Sequence, residues 1–230
     1  METSIKETSC DHCTSCSSDS SGAEERGRPE HVKRALRLEY LTVGWNIVEG
    51  VVAVTAAVLA GSVALLGFGI DSFVECASGL VMIWRLRAET ARRLTSQDLD
   101  AIEHRALRLV ALSLFLLAAY VAFDAAQALW NGERPEFTAV GVGITSLSLL
   151  VMRWLARAKR RVAQQLGSRA LEADAFQTTA CVWLSLATLA GIGLNGALGW
   201  WWADPIAALV IAALVVKEGV EAWRGEHDCC

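Results

Sequence analysis

Long apolar blocks alternate with charged stretches along this chain, and the blocks are about as long as a bilayer is thick. Six stand out, at about 38–60, 63–85, 105–130, 136–156, 169–197 and 203–224. A membrane-crossing helix needs roughly 20 predominantly apolar residues, and lipid offers no partner to unpaired backbone groups. The period-two alternation of a membrane barrel is absent from the sequence. The pattern predicts an all-α, polytopic membrane protein with six transmembrane helices. The expected organisation is a disordered tail over 1–34, a helical domain over 35–224 and a short tail over 225–230. The short link around Gly61–Ser62 makes the first two helices antiparallel neighbours.

Polar residues break the apolar pattern at a few places. The second block, ALLGFGIDSFVECASGL, holds Asp71 and Glu75 four residues apart. On a helix they share one face, about 6 Å apart along the axis. Carboxylates at mid-membrane are costly and turn toward a protein interior or a cation. The fifth block places Asp174, Gln177, Thr178 and Cys181 on one helical stripe. Counted from the cytoplasmic ends, Glu75, Asp71, Gln177 and Cys181 fall within about 9 Å of one another in height. Two adjacent antiparallel helices are then expected to present two carboxylates, a thiol and an amide oxygen to one cavity. These are ligands for a divalent cation, and the thiol favours zinc or cadmium over magnesium or calcium. Glu49 in the first block, with Asn46 one turn earlier, is expected beside this site. Gly67 and Gly69 read either as a flexing point or as packing residues.

Hydrophobic residues make up 53% of the 230, too many for an ordinary soluble domain. The net charge of −4 says little about partners, because the cations are so unevenly placed. Lys and Arg cluster before the first block, between the second and third, and between the fourth and fifth; the opposite side has only Arg134. Both termini are therefore expected in the cytoplasm. Tryptophans fall at block ends, as aromatic belts require: Trp84, Trp154 and Trp223 inside, Trp130 and Trp200–Trp202 outside. A nucleic-acid partner is not expected, no cleavable signal peptide is read at the polar N-terminus, and the plasma membrane is the default location.

The seven cysteines do not read as a disulfide framework. Cys10, His12, Cys13 and Cys16 in one tail, and His227, Cys229 and Cys230 in the other, are candidate accessory soft-metal ligands. The charged link 85–105 is expected along the inner membrane surface. Its Asp98, Asp100, Glu103 and His104 read as a solvated face rather than a second cation site. The basic run ARAKRRVAQQ after the fourth block suits anionic headgroups. Ala203-Asp204-Pro205 reads as a helix cap with proline at the first helical position. No histidine lies in any apolar block and no nucleophile–base pair stands at matched depth, so enzymatic chemistry is not expected.

ALLGFGIDSFVE, EADAFQTTAC and WWADPIAALVIAAL resemble the transmembrane half of the cation diffusion facilitators, the cation efflux family, over about residues 35–224. The resemblance implies a transport site made from an acidic pair on the second helix and an HxxxD pair on the fifth. Asp71 and Glu75 match the first pair. The family's His falls on Gln177 and its Asp on Cys181, so this chain has QxxxC where HxxxD is usual. The family's cytoplasmic domain has no counterpart in the sequence, as in a short, helix-only branch. The resemblance further implies a homodimer that exchanges a divalent cation for protons, with no permanently bound cofactor. The expected function is export of zinc or cadmium. The alternative is a non-transporting membrane metal sensor or partner subunit that acts through its Cys-rich tails.

Overall fold

The computed structural model describes residues 21–60, 63–91, 96–132 and 139–224. They form six helices: α1 (Ser21–Ala60), α2 (Val63–Ala91), α3 (Ser96–Asn131), α4 (Ala139–Leu166), α5 (Arg169–Leu198) and α6 (Ala203–Arg224). There is no strand among the described residues. The helices pack as a ring in the order α1, α2, α3, α6, α5, α4, which closes back on α1. Across the ring α5 also meets α3 and, along a narrow seam, α2.

The solvent logic of a soluble protein is inverted. Glu39, Asn46, Glu49, Glu75, Lys159, Asp174 and Gln177 are buried, while Leu59, Val58 and Trp130 are 83%, 75% and 91% exposed. Soluble proteins almost never bury unpaired charge while presenting this much large apolar surface, and a hydrocarbon solvent reverses the preference. The belt tryptophans Trp84, Trp130, Trp154, Trp200, Trp202 and Trp223 all face outward. By length and composition, Gln97–Asn131 and Arg169–Leu198 are long and apolar enough to cross a membrane among the described residues.

Three expectations need correction. Residues 21–34, read as part of a disordered tail, are the first turns of α1. They are held because Val32 is buried in the core and Arg28 pairs with Glu89 of α2 at 2.8 Å. The link 85–105 is not a separate surface segment: α2 continues to Ala91 and α3 begins at Ser96. Arg85, nearly buried, joins these extensions by pairing with Glu103 at 2.6 Å and Glu89 at 3.3 Å. Finally, α6 begins at Ala203, so Pro205 lies inside its first turn rather than at its first position. The missing N–H is still without cost there, since first-turn amides have no partner within the helix.

Local chemistry sets the start of α5. Gly167 takes positive φ (62°) and reverses the chain after α4, and the Ser168 side chain then accepts the Leu171 amide. Glu103 of α3 adds a second cap: it accepts the Ser168 hydroxyl at 2.8 Å and the Ala170 amide at 3.0 Å. A carboxylate at a helix N-terminus complements its dipole. Glu103, read from sequence as part of a solvated face, is thus a bridge between three helices.

Glycines bring α1 and α2 together. A Cβ on Gly69 would stand 2.7 Å from Val54 and 3.4 Å from the Gly50 carbonyl, so Gly69 serves packing. Gly67 has no described side-chain surroundings. Gly69→Val is expected to lower stability in detergent by about 1–3 kcal/mol through overpacking. Gly44→Ala, placed where a Cβ meets nothing within 4 Å, is expected not to. Thermal melting of the two variants checks the contrast.

Candidate functional site

The inward faces of α1, α2 and α5 each carry polar groups at heptad-like spacing. On α1 these are Glu39, Thr42, Asn46 and Glu49, all buried. On α2 they are Asp71, Glu75 and Ser78; on α5 they are Asp174, Gln177, Thr178 and Cys181. Residues that recur every three and four positions share one face of a helix, so each set forms a stripe. The α5 stripe is buried throughout, as its sequence spacing predicts.

Two bonds fix the register of α2 on α5. The Cys181 thiol donates to Asp71 Oδ2 at 3.4 Å, and the Ser78 hydroxyl donates to Asp174 Oδ1 at 2.6 Å. These rungs are two turns apart on both helices, which is the spacing of antiparallel neighbours. Glu75 sits between them, buried, with Thr178 of α5 and Asn46 of α1 as its polar neighbours. That pairing brings Glu49, nearly one turn further along α1, level with Asp71. Glu49 also faces Ser148 of α4.

This layer is poor in hydrogen bonds. Both side-chain polar atoms of Asn46 lack a partner, as do one oxygen each of Glu49, Asp71 and Glu75 and the amide nitrogen of Gln177. A buried polar atom left without a partner costs about 1–3 kcal/mol. Five residues from three helices bear that cost at one level of the bundle. Folded proteins keep few such atoms, so a cluster of them at one level calls for an explanation.

The candidate residues divide into three groups. Asp71 and Cys181 are in direct contact, with Glu75 one turn deeper and Glu49 opposite. Gln177 is turned toward α3, where its Oε1 lies 2.7 Å from the Ser113 hydroxyl. That hydroxyl also reaches the Val110 carbonyl at 2.7 Å. One hydroxyl proton cannot serve both acceptors. Rotating the amide by half a turn lets Nε2 donate to Ser113 and frees the oxygen. Asp174 belongs elsewhere, because Lys159 of α4 bonds to it and stands 2.9 Å from Glu39 as well. Of the four ligands expected at one cavity, Asp71 and Cys181 meet directly and Glu75 stands beside them, while Gln177 faces α3. Among the described residues no three His, Cys, Asp or Glu side chains close into a metal-ready cluster. The tail ligands Cys10, His12, Cys13, Cys16, His227, Cys229 and Cys230 lie outside the described residues. Cys76 is buried and unpaired, with its thiol 3.7 Å from the Val43 carbonyl.

Sequence reasoning missed Lys159, which it assigned to lipid headgroups, and Glu39. The signal was present in the spacing. Lys159 continues the buried series Met152, Leu155, Val162 and Leu166 on α4, and Glu39 opens the buried stripe of α1.

Comparison with known proteins finds relatives among transporters and cation efflux proteins. An uncharacterized transporter of Synechocystis is 25% identical over 174 residues, which cover 75% of this chain and 54% of that protein. A probable cation efflux system protein of Mycobacterium tuberculosis is 28% identical over 190 residues, covering 80% and 54%. The cation-efflux pump FieF of Shewanella oneidensis is 23% identical over 163 residues, covering 70% and 55%. The chain spans little more than half the length of these relatives. A family model described as the cation efflux transmembrane domain matches residues 41–224, a range that takes in every residue of the polar layer. Because that match runs over most of its length, the chain is a membrane protein that belongs to the cation efflux family, the cation diffusion facilitators.

Proposed function

We propose that this protein is a secondary transporter that exports a divalent transition-metal cation, zinc or cadmium, from the cytoplasm in exchange for protons. Six helices cross the bilayer with both termini cytoplasmic, in keeping with the Lys and Arg asymmetry of the connections. The functional unit is the homodimer that the family resemblance implies. The observation that carries the reading is the cluster of unpartnered buried polar atoms around the Asp71–Cys181 contact.

Chemistry follows from the donor set. Asp71, Glu75 and Cys181 are candidate direct ligands, Glu49 approaches from α1, and Gln177 joins once its amide oxygen is released from Ser113. Carboxylates and a thiolate bind metal only when deprotonated, so cation and protons compete for the same atoms. The Cys181 proton now shared with Asp71 is one that the metal displaces. Alternating access completes the cycle: metal enters from the cytoplasm and protons leave, then protons arriving from outside displace the metal. An inward proton gradient makes the net direction efflux.

The test is flux of a panel of divalent ions in reconstituted vesicles with an imposed pH difference. Zinc or cadmium movement that follows the proton gradient is the expected result; no gradient-dependent flux of any ion refutes the reading. The thiol has its own test. Cys181→Asp replaces a soft ligand by a hard one and is expected to shift preference from cadmium toward zinc or manganese. The same panel checks it, and an unaltered metal profile means that the thiol is not a ligand.

A further inference from the structure

The transport reading gives no part to Lys159. This residue leaves α4 fully buried, with its ammonium 2.9 Å from Glu39 of α1 and bonded to Asp174 of α5. Asp174 in turn accepts the Ser78 hydroxyl of α2. One polar knot thereby ties four helices together. Its place along the seam is defined by its neighbours: Ser78 lies two turns from Asp71, and Asp174 two turns from Cys181. At about 1.5 Å per residue the knot is about 10 Å from the carboxylate–thiol contact, on the side where α2 ends and α5 begins. In the proposed orientation that side is cytoplasmic, and a cation travelling the seam to Cys181 passes through this level.

Two features set the knot apart from a permanent bridge. Glu39 meets Lys159 through one oxygen at 2.9 Å, and its Oε1 is left without a hydrogen-bond partner. A buried polar network that is only partly satisfied is costly, and a second arrangement can relieve it. The knot also has two carboxyl groups to one ammonium, so the groups Lys159 occupies are themselves cation ligands. An arriving divalent ion and the ammonium compete for the same oxygens.

We infer that Lys159 is a tethered cation that closes the cytoplasmic end of the metal path. It does so by holding Glu39 and Asp174, and through Asp174 the Ser78 of α2, in one closed layer. Opening toward the cytoplasm separates these partners. The inference rests on the transport reading for the path and its direction.

Cys181 is a native reporter of access from below. The experiment uses the full chain with Cys10, Cys13, Cys16, Cys76, Cys229 and Cys230 replaced by serine, in sealed vesicles of either orientation. A membrane-impermeant thiol reagent is applied to one face at a time. The variant Glu39→Gln/Lys159→Met/Asp174→Asn removes all three charges while keeping the shapes similar. Its Cys181 is expected to react about tenfold faster from the cytoplasmic face, as a shift in the population of the open layer requires, and no faster from the other face. Ser78→Ala removes only the α2 contact and is expected to give a smaller rise with the same sidedness. Equal rates in both variants and their parent overturn the gate, and so does equal acceleration from both faces. Should the triple variant aggregate, Ser78→Ala decides alone. Metal flux of Asp71→Asn in the same background judges the underlying reading. Surviving flux removes transport at this site and the gate with it; flux that depends on Asp71, with labelling that does not respond, removes the gate alone.

Discussion

Asp71→Asn is expected to abolish metal-dependent flux in proteoliposomes while the protein remains folded. The substitution keeps shape and volume, and an amide oxygen can still accept the Cys181 thiol proton now given to Asp71 at 3.4 Å. What disappears is the anionic oxygen pair. A neutral amide neither compensates a divalent charge nor releases a proton when metal binds. Loss of an outer-shell partner alone typically costs roughly 10–100-fold in metal affinity or activity, so loss of a direct ligand is expected to cost at least that. Flux of radioactive or fluorescently reported zinc measures the effect, and the elution profile in detergent checks folding. Wild-type flux in a folded Asp71→Asn protein means that the metal does not pass this carboxylate.

The second large effect is on stability. Lys159→Met alone leaves Glu39 and Asp174 buried without their cation, since both are at most 1% exposed. Breaking a buried ion pair by removing one partner destabilises by about 3–5 kcal/mol, whereas replacing the whole group with neutral residues of similar volume is often neutral or stabilising. The single variant is therefore expected to melt well below wild type. Glu39→Gln/Lys159→Met/Asp174→Asn is expected to recover most of the difference. Equal melting temperatures for Lys159→Met and wild type mean that the triad carries no such burden.

The helices were legible because membrane-length apolar runs are a strong signal, and α1, α2, α3, α5 and α6 each begin or end within one residue of an expected block limit. The α5 stripe was legible for the same reason: Asp174, Gln177, Thr178 and Cys181 recur at helical spacing, and all are buried. Height was legible as well, since rise per residue fixes it, and Asp71 does meet Cys181 across the seam. Azimuth and partner choice were not. Gln177 and Cys181 are one turn apart, yet Gln177 turns to Ser113 of α3 while Cys181 turns to α2. Only the packing of three helices around α5 decides that difference. Asp174 shows the same limit. Its spacing places it with the metal ligands, but a lysine from α4 reaches it first.

Lys159 was hidden by its neighbours. It stands in ARAKRR, a run whose other cations suit lipid headgroups, and composition gives the whole run one reading. The heptad-like series from Met152 to Leu166 separates Lys159 from the rest, because only that cation falls on the buried side of α4. The N-terminal turns of α1 were hidden by a different cause. Residues 21–34 are polar and include Pro29, and they become ordered through the core contact of Val32 and the Arg28–Glu89 pair. Neither partner is close in sequence.

The central claim is that a cation is held by the α2 carboxylates together with the α5 thiol. X-ray absorption at the zinc edge tests it most directly, on full-length protein with the tail cysteines Cys10, Cys13, Cys16, Cys229 and Cys230 changed to serine. The account predicts oxygen-type neighbours and one sulfur at about 2.3 Å, with the sulfur lost in Cys181→Ser. A zinc shell without sulfur in the parent protein, or a sulfur that persists after Cys181→Ser, contradicts it.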